Sequence, residues 1–140
     1  MLIDANILLY CVDRNDPRQE QAATFMQGAL NGSTRVAFPW QSITAFLRIS
    51  TSPRASASPL DAAQAWGFVD AWLATAPAWI PPATQQTAGI LGELLSSTVI
   101  TGNLVSDAAL AAIAIEHGIP VVTNDSDFHR FPVQVMNPFA

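Results

Sequence analysis

Met1-Leu2-Ile3-Asp4-Ala5-Asn6-Ile7-Leu8-Leu9-Tyr10 opens the chain, and its reading decides the fold. Three apolar residues ending at an acid read as a buried strand that delivers Asp4 at its C-terminal end. The residues after it, Ala5 to Tyr10, read as a helical turn. Near the other end of the chain, Ile119-Pro120-Val121-Val122-Thr123 repeats the pattern and runs into Asn124-Asp125-Ser126-Asp127. Pro120 fits there because it begins the strand.

Between these ends, helical and strand patterns alternate. Helices are expected from Pro17 to Leu30, Trp40 to Ile49, Ser58 to about Leu73, Thr84 to Leu95 and Val105 to His117, the last stopped by Gly118. For the third of these, Ser58 reads as the cap, with Pro59 in first position. Arg35 to Phe38 and Ala78 to Ile80 supply two more strands, and Ser50 to Pro59 a loop. The alternation predicts an α/β fold, an α/β/α sandwich around a mainly parallel sheet of four to five short strands. With 140 residues and no repeat or linker, a single domain over residues 1–140 is expected.

Half of the residues are apolar and 12% are charged, which excludes the composition of a disordered chain. Each apolar run is interrupted well short of the roughly 20 residues of a membrane span. The opening lacks the basic and apolar regions of a signal peptide, so the cytoplasm is the expected location and no membrane partner is expected. Cys11 is the only cysteine, which excludes an internal disulfide and leaves it a packing residue. The net charge of −5 argues against broad electrostatic attraction to nucleic acid. The six basic residues are all arginines, and there is no lysine.

In a parallel sheet Asp4 and Asp125 emerge on the same ligand-binding edge, and Asp107, in the first turn of a helix, can face it too. Clustered carboxylates suit a hard cation such as Mg²⁺ or Mn²⁺, which takes oxygen ligands and substrate phosphate. At roughly 5 Å and an effective dielectric of about 20, each pair repels by on the order of 3 kcal/mol, so such a cluster needs a cation. Taken singly, Asp107 also reads as a first-turn helix acid, and Asp125 or Asp127 as a cap of the turn containing Asp127-Phe128-His129. Asp4, flanked by Leu2, Ile3, Ile7 and Leu8, is costly to bury without a partner. Asn6 can orient Asp4 or a water, and Thr123 can bond a carboxylate across strand ends. Both are also ordinary turn and strand residues. His117 at a helix end and His129 in a surface turn are not read as general bases.

These stretches resemble the PIN-domain proteins, and within them the VapC toxins of type II toxin-antitoxin modules. Leu2 to Tyr10 is similar to their first strand and acid. Asn103 to Gly118 is similar to the helix bearing a further acid, and Val121 to Phe128 with Arg130-Phe131 to the closing motif. The resemblance implies Asp4, Asp107 and Asp125 as Mg²⁺-site acids with Asp127 auxiliary, cleavage of RNA, a cognate antitoxin and a homodimer. Many members carry a glutamate in the helix after the second strand, where Ala45 stands here. Glu116, nine residues past Asp107 and roughly 13 Å along the helix, is read as surface rather than as a replacement. The segment around Phe46-Leu47-Arg48 and Thr51-Ser52-Pro53-Arg54 resembles a subgroup of these toxins, and Arg48 and Arg54 are candidates for RNA phosphates or a partner's acids. Trp40, Trp66, Phe68 and Trp72 read as core, with part of the set available to an antitoxin's apolar helix.

A phosphatase or receiver domain would need a lysine near its phosphate, and a nucleotide enzyme a glycine-rich loop after the first strand. The chain has neither. The alternative that stays open is a catalytically weakened PIN-fold module that binds RNA or protein.

Overall fold

The computed structural model describes residues 1–140. In chain order the elements are β1 (Leu2–Ile3), α1 (Ala5–Val12), α2 (Gln19–Leu30), β2 (Val36–Ala37), α3 (Trp40–Ser50) and α4 (Ala62–Leu73). There follow β3 (Ala78–Trp79), α5 (Gln85–Ser97), α6 (Leu104–His117), β4 (Val121–Val122), a 3₁₀ turn (Ser126–Arg130) and β5 (Val135–Met136). The five strands form one sheet in the order β3-β2-β1-β4-β5, and every pairing is parallel. No helix is long and apolar enough to cross a membrane.

Each strand is two residues long, so it sends one side chain to each face. Leu2, Ala37 and Val121 join one core with α6, centred on Ala111, Ala112 and Ile113. Ile3, Val36 and Val122 join the other, with Ile7 and Leu8 of α1, Met26 of α2, Ile43 and Phe46 of α3 and Val69 of α4. Small alanines on α6 let that helix approach the sheet closely, whereas the opposite face is filled by larger side chains such as Phe38, Phe46 and Trp72.

The strand order reverses between β1 and β4. From β1 the chain builds outward through β2 to β3, and from β4 it builds the other way to β5. In open parallel sheets the crevice beyond the carboxyl ends of two such strands is where ligands bind. The register there is fixed by Leu2 facing Val121 and Ile3 facing Val122, and the ladder continues through the Asp4 amide, which donates to the Val122 carbonyl at 3.0 Å.

Three details differ from the sequence reading. Helix α2 begins at Gln19, because Asp16 accepts from the Arg18 amide at 2.8 Å and holds Pro17 in the preceding turn. Helix α4 begins at Ala62, where Asp61 and Gln64 exchange capping bonds of 2.7 and 3.0 Å, so Ser58 and Pro59 belong to the loop. The fifth strand, β5, has no matching sequence signal, since Val135 and Met136 are only half-buried at the sheet edge.

Gly118 ends α6 with φ of 64° and ψ of 35°, the left-handed conformation that a β-carbon penalises. A β-carbon there would meet nothing within 4 Å, so backbone strain is its only cost. Gly118→Ala is therefore expected to destabilise the fold by about 1 kcal/mol. Thermal unfolding followed by circular dichroism checks this, with a midpoint lowered by about 3 °C expected and an unchanged midpoint contradicting it.

Candidate active site

Asp4 follows β1 directly and caps α1, its Oδ1 accepting from the Ala5 amide at 2.7 Å. Asp125 follows β4 after Thr123 and Asn124 and caps the 3₁₀ turn, its Oδ1 accepting from the Asp127 amide at 2.9 Å. Asp107 lies in the first turn of α6. Carboxylate oxygens of Asp107, Asp125 and Asp127 come within 4.8 Å of one another. Asp127, an auxiliary in the sequence reading, thus belongs to the tight trio. Asp4 stands beside the trio, coupled by charge to Asp125 and Asp107, with both its oxygens occupied by protein donors.

Thr123, 1% exposed, ties these parts together. Its hydroxyl donates to Asp4 Oδ2 at 2.7 Å and accepts from Asn6 Nδ2 at 3.1 Å and from the Asp125 amide at 3.0 Å. A hydroxyl has one proton and two lone pairs, so the set is complete. Because the single proton is spent on Asp4, Asn6 must present its amide nitrogen to Thr123. Asn6 Oδ1 is left buried and without a partner.

The electrostatics reflect crowding. Burial, together with the charges of Asp125, Asp4 and Asp127, raises the Asp107 carboxyl to about 6. Burial also raises Asp4, against the opposing bonds from Thr123 and Ala5. Arg130 partly offsets the charge by donating from Nε to Asp127 Oδ1 at 3.2 Å. Three converging carboxylates, with a buried amide oxygen lacking a donor on the Thr123 network beside them, fit a hard divalent cation and its water ligands.

Other residues singled out in the sequence fall elsewhere. Arg48 is in the last turn of α3 and Arg54 in the loop beyond, and neither bonds to any of these aspartates. Ala45 sits half-buried in mid-α3 and offers no carboxylate. Glu116 is not a surface residue. Its carboxylate accepts from the hydroxyls of Thr84 and Thr87, which lowers its pKa and pins the end of α6 to the start of α5. His117 packs edge-on against Trp79 and His129 is exposed. Burial pushes the Cys11 thiol up to about 12, in keeping with a packing role. Trp72 stacks on Phe38, whereas Trp40, Trp66 and Phe68 are 51%, 43% and 40% exposed.

A groove of about 940 Å³ opens between α1, the end of α3, the following loop and α4, lined in part by Leu9, Val12, Ile49, Leu60 and Phe68. None of the four aspartates lines it. Carboxylate chemistry, not concavity, marks the candidate site.

Residues 1–134 match the PIN domain family. The chain is 38% identical over 130 residues to Ribonuclease VapC37 of Mycobacterium tuberculosis, covering 93% of this chain and 90% of that one. It is 34% identical over 128 residues to Ribonuclease VapC33 of the same organism, covering 91% and 90%. Among solved structures it is similar to VapBC2 from Rickettsia felis bound to a promoter DNA fragment, with a TM-score of 0.71 at 20% identity over 97% of this chain and 96% of that one. It is also similar to the sarcin-ricin loop cleaving toxin VapC20 of Mycobacterium tuberculosis, with a TM-score of 0.67 at 14% identity over 91% and 92%.

Two outcomes are expected from the geometry. Thr123→Val keeps the volume but strips partners from Asp4, Asn6 and the Asp125 amide, and should cost about 2 kcal/mol in denaturant unfolding. A cost below about 0.5 kcal/mol would show that the hydroxyl does not hold the crevice together. Asp107 binds its proton more tightly folded than unfolded, so its contribution to stability is lost as pH rises from about 4 to about 6. In EDTA, Asp107→Asn should gain on the unsubstituted chain across that window and keep a constant advantage of about 1 kcal/mol above it, after allowance for solvent screening. A difference independent of pH would contradict the crowding.

Proposed function

The chain belongs to the PIN-domain family, and from that premise we propose that it is a divalent-metal-dependent endoribonuclease serving as the toxin of a toxin-antitoxin pair. The observation that carries this reading is the meeting of Asp107, Asp125 and Asp127 within 4.8 Å at the strand-order reversal, with Asp4 alongside. The relatives named as ribonucleases, matched along nearly their whole length, support it. In this reading residues 1–140 act as one PIN-type unit.

Asp107, Asp125 and Asp127, with Asp4, would hold Mg²⁺ or Mn²⁺ as oxygen ligands. When bound, the ion activates water and offsets the charge that develops on the phosphate. The chain's own groups do the positioning. Thr123 and the Ala5 amide fix the Asp4 carboxylate in one orientation, and the Thr123 bond to the Asp125 amide sets where the 3₁₀ turn starts. Asn6 Oδ1 keeps an acceptor for a water at the crevice. Pre-arranged groups of this kind lower the cost of assembling the site at the moment of reaction.

The protein partner would be a cognate antitoxin whose apolar helix fits the groove lined by Leu9, Val12, Ile49, Leu60 and Phe68. The neighbouring VapBC2 structure supports such a partner. A homodimer in the cytoplasm completes the proposal. Ala45, where a carboxylate would extend the acid set, favours a second reading, a weakened module that binds RNA or protein without cutting.

Incubation of the purified protein with structured RNA separates the two. Cleavage in Mg²⁺ or Mn²⁺, abolished by EDTA, is expected, and Asp125→Asn or Asp4→Asn should slow it by on the order of 100-fold or more. Growth arrest on expression should be relieved by the same substitutions and by co-expression of the adjacent reading frame. Metal-independent cutting, or full activity of Asp125→Asn, would refute the mechanism, and binding without cutting would establish the module.

A further inference from the structure

A phosphodiester entering this crevice meets four aspartates, and of the six arginines only Arg130 touches one of them. The other five are placed elsewhere. Arg18 is locked onto Asp16 and the Tyr10 hydroxyl, and Arg35 lies over the Trp79 ring. Arg14 lines the groove, and Arg48 and Arg54 belong to the end of α3 and the loop after it. In formal charge, the four carboxylates and Arg130 leave the crevice at minus three, and one divalent ion still leaves it negative. A phosphate beyond reach of the metal is repelled from such a place, and a fixed cation facing it offsets that repulsion.

Arg130 is built for that task. It meets Asp127 through Nε alone, and its two terminal nitrogens make no hydrogen bond. The side chain is 51% exposed, against 44% for Asp127, so the free end of the guanidinium is open to solvent at the rim of the acid trio. Two parallel N–H donors match two phosphate oxygens, a geometry that lysine lacks.

We propose that Arg130 is the substrate-gripping cation of this site, binding a backbone phosphate beside the scissile bond through its two terminal nitrogens while Nε stays parked on Asp127. The proposal rests on the ribonuclease reading and adds a residue that makes an acidic chain able to hold RNA. The Asp127 contact serves to aim the guanidinium at the crevice rather than to stabilise the fold, since an exposed pair of this type adds little.

The test uses a fluorescein-labelled single-stranded RNA of about 20 nucleotides in Mg²⁺, with all proteins carrying Asp107→Asn so that the probe survives. Arg130→Ala should weaken binding about tenfold at low salt and flatten the plot of log affinity against log salt by about 0.7, the loss of one phosphate contact. Arg130→Lys should restore the slope but only part of the affinity. In the chain with Asp107 intact, Arg130→Ala should keep the thermal stabilisation given by Mn²⁺, because every carboxylate remains. Unchanged affinity and slope would overturn the proposal. So would loss of the Mn²⁺ effect together with RNA binding, which would mean that Arg130 acts by holding the acids in place. If the Asp107→Asn protein with Arg130 intact does not bind the probe and the unsubstituted chain does not cut structured RNA in Mg²⁺ or Mn²⁺, the ribonuclease reading itself fails.

Discussion

Like charges must be held together here against their own repulsion. Asp107, Asp125 and Asp127 gather within 4.8 Å, with Asp4 near enough to raise the Asp107 carboxyl further. At such separations each pair costs on the order of 3 kcal/mol at an effective dielectric of about 20. The rest of the fold supplies the restraint. Pairing of β1 with β4 brings Asp4 and Asp125 to one edge, the packing of α6 on the sheet brings Asp107, and the 3₁₀ turn brings Asp127. Thr123 then closes the arrangement across 119 positions of sequence.

Much of this was legible from residue order. Leu2-Ile3-Asp4 announces a strand that ends at an acid, Val121-Val122-Thr123 announces another, and Gly118 marks where α6 must stop. Those signals are local, and local physics produces them: apolar runs, a cap, a left-handed residue. What stayed hidden depends on distant partners. Nothing near Thr123 in sequence reveals that its hydroxyl serves Asp4 and Asn6 at once. Glu116 looks like an outward helix acid until Thr84 and Thr87, about thirty residues earlier, are folded against it. The closeness of Asp127 to Asp107 and Asp125 could not be read either, because an acid two residues after another acid is equally a turn-capping pattern.

The acid cluster and the groove are spatially separate. The acids lie beyond the carboxyl ends of β1 and β4, whereas the groove of about 940 Å³ is built from α1, α3 and α4 and touches none of the four. Helix α1 joins them, since Asp4 caps its first turn and Leu9 and Val12 line the groove from its last. A protein lodged in the groove would therefore bear on the same helix whose start is fixed by Asp4.

Strands only two residues long leave the sheet no slack. In a longer strand an inserted or deleted residue can be absorbed by a bulge, but here a shift of one position would exchange Val121 for Val122 between the two cores and carry Thr123 off its partners. A change of length is better borne in a connecting stretch such as the loop between α3 and α4, which pairs with no strand. The interval from Pro120 to Asp125 behaves as a fixed-length ruler, whose end points are the start of the strand and the acid it delivers.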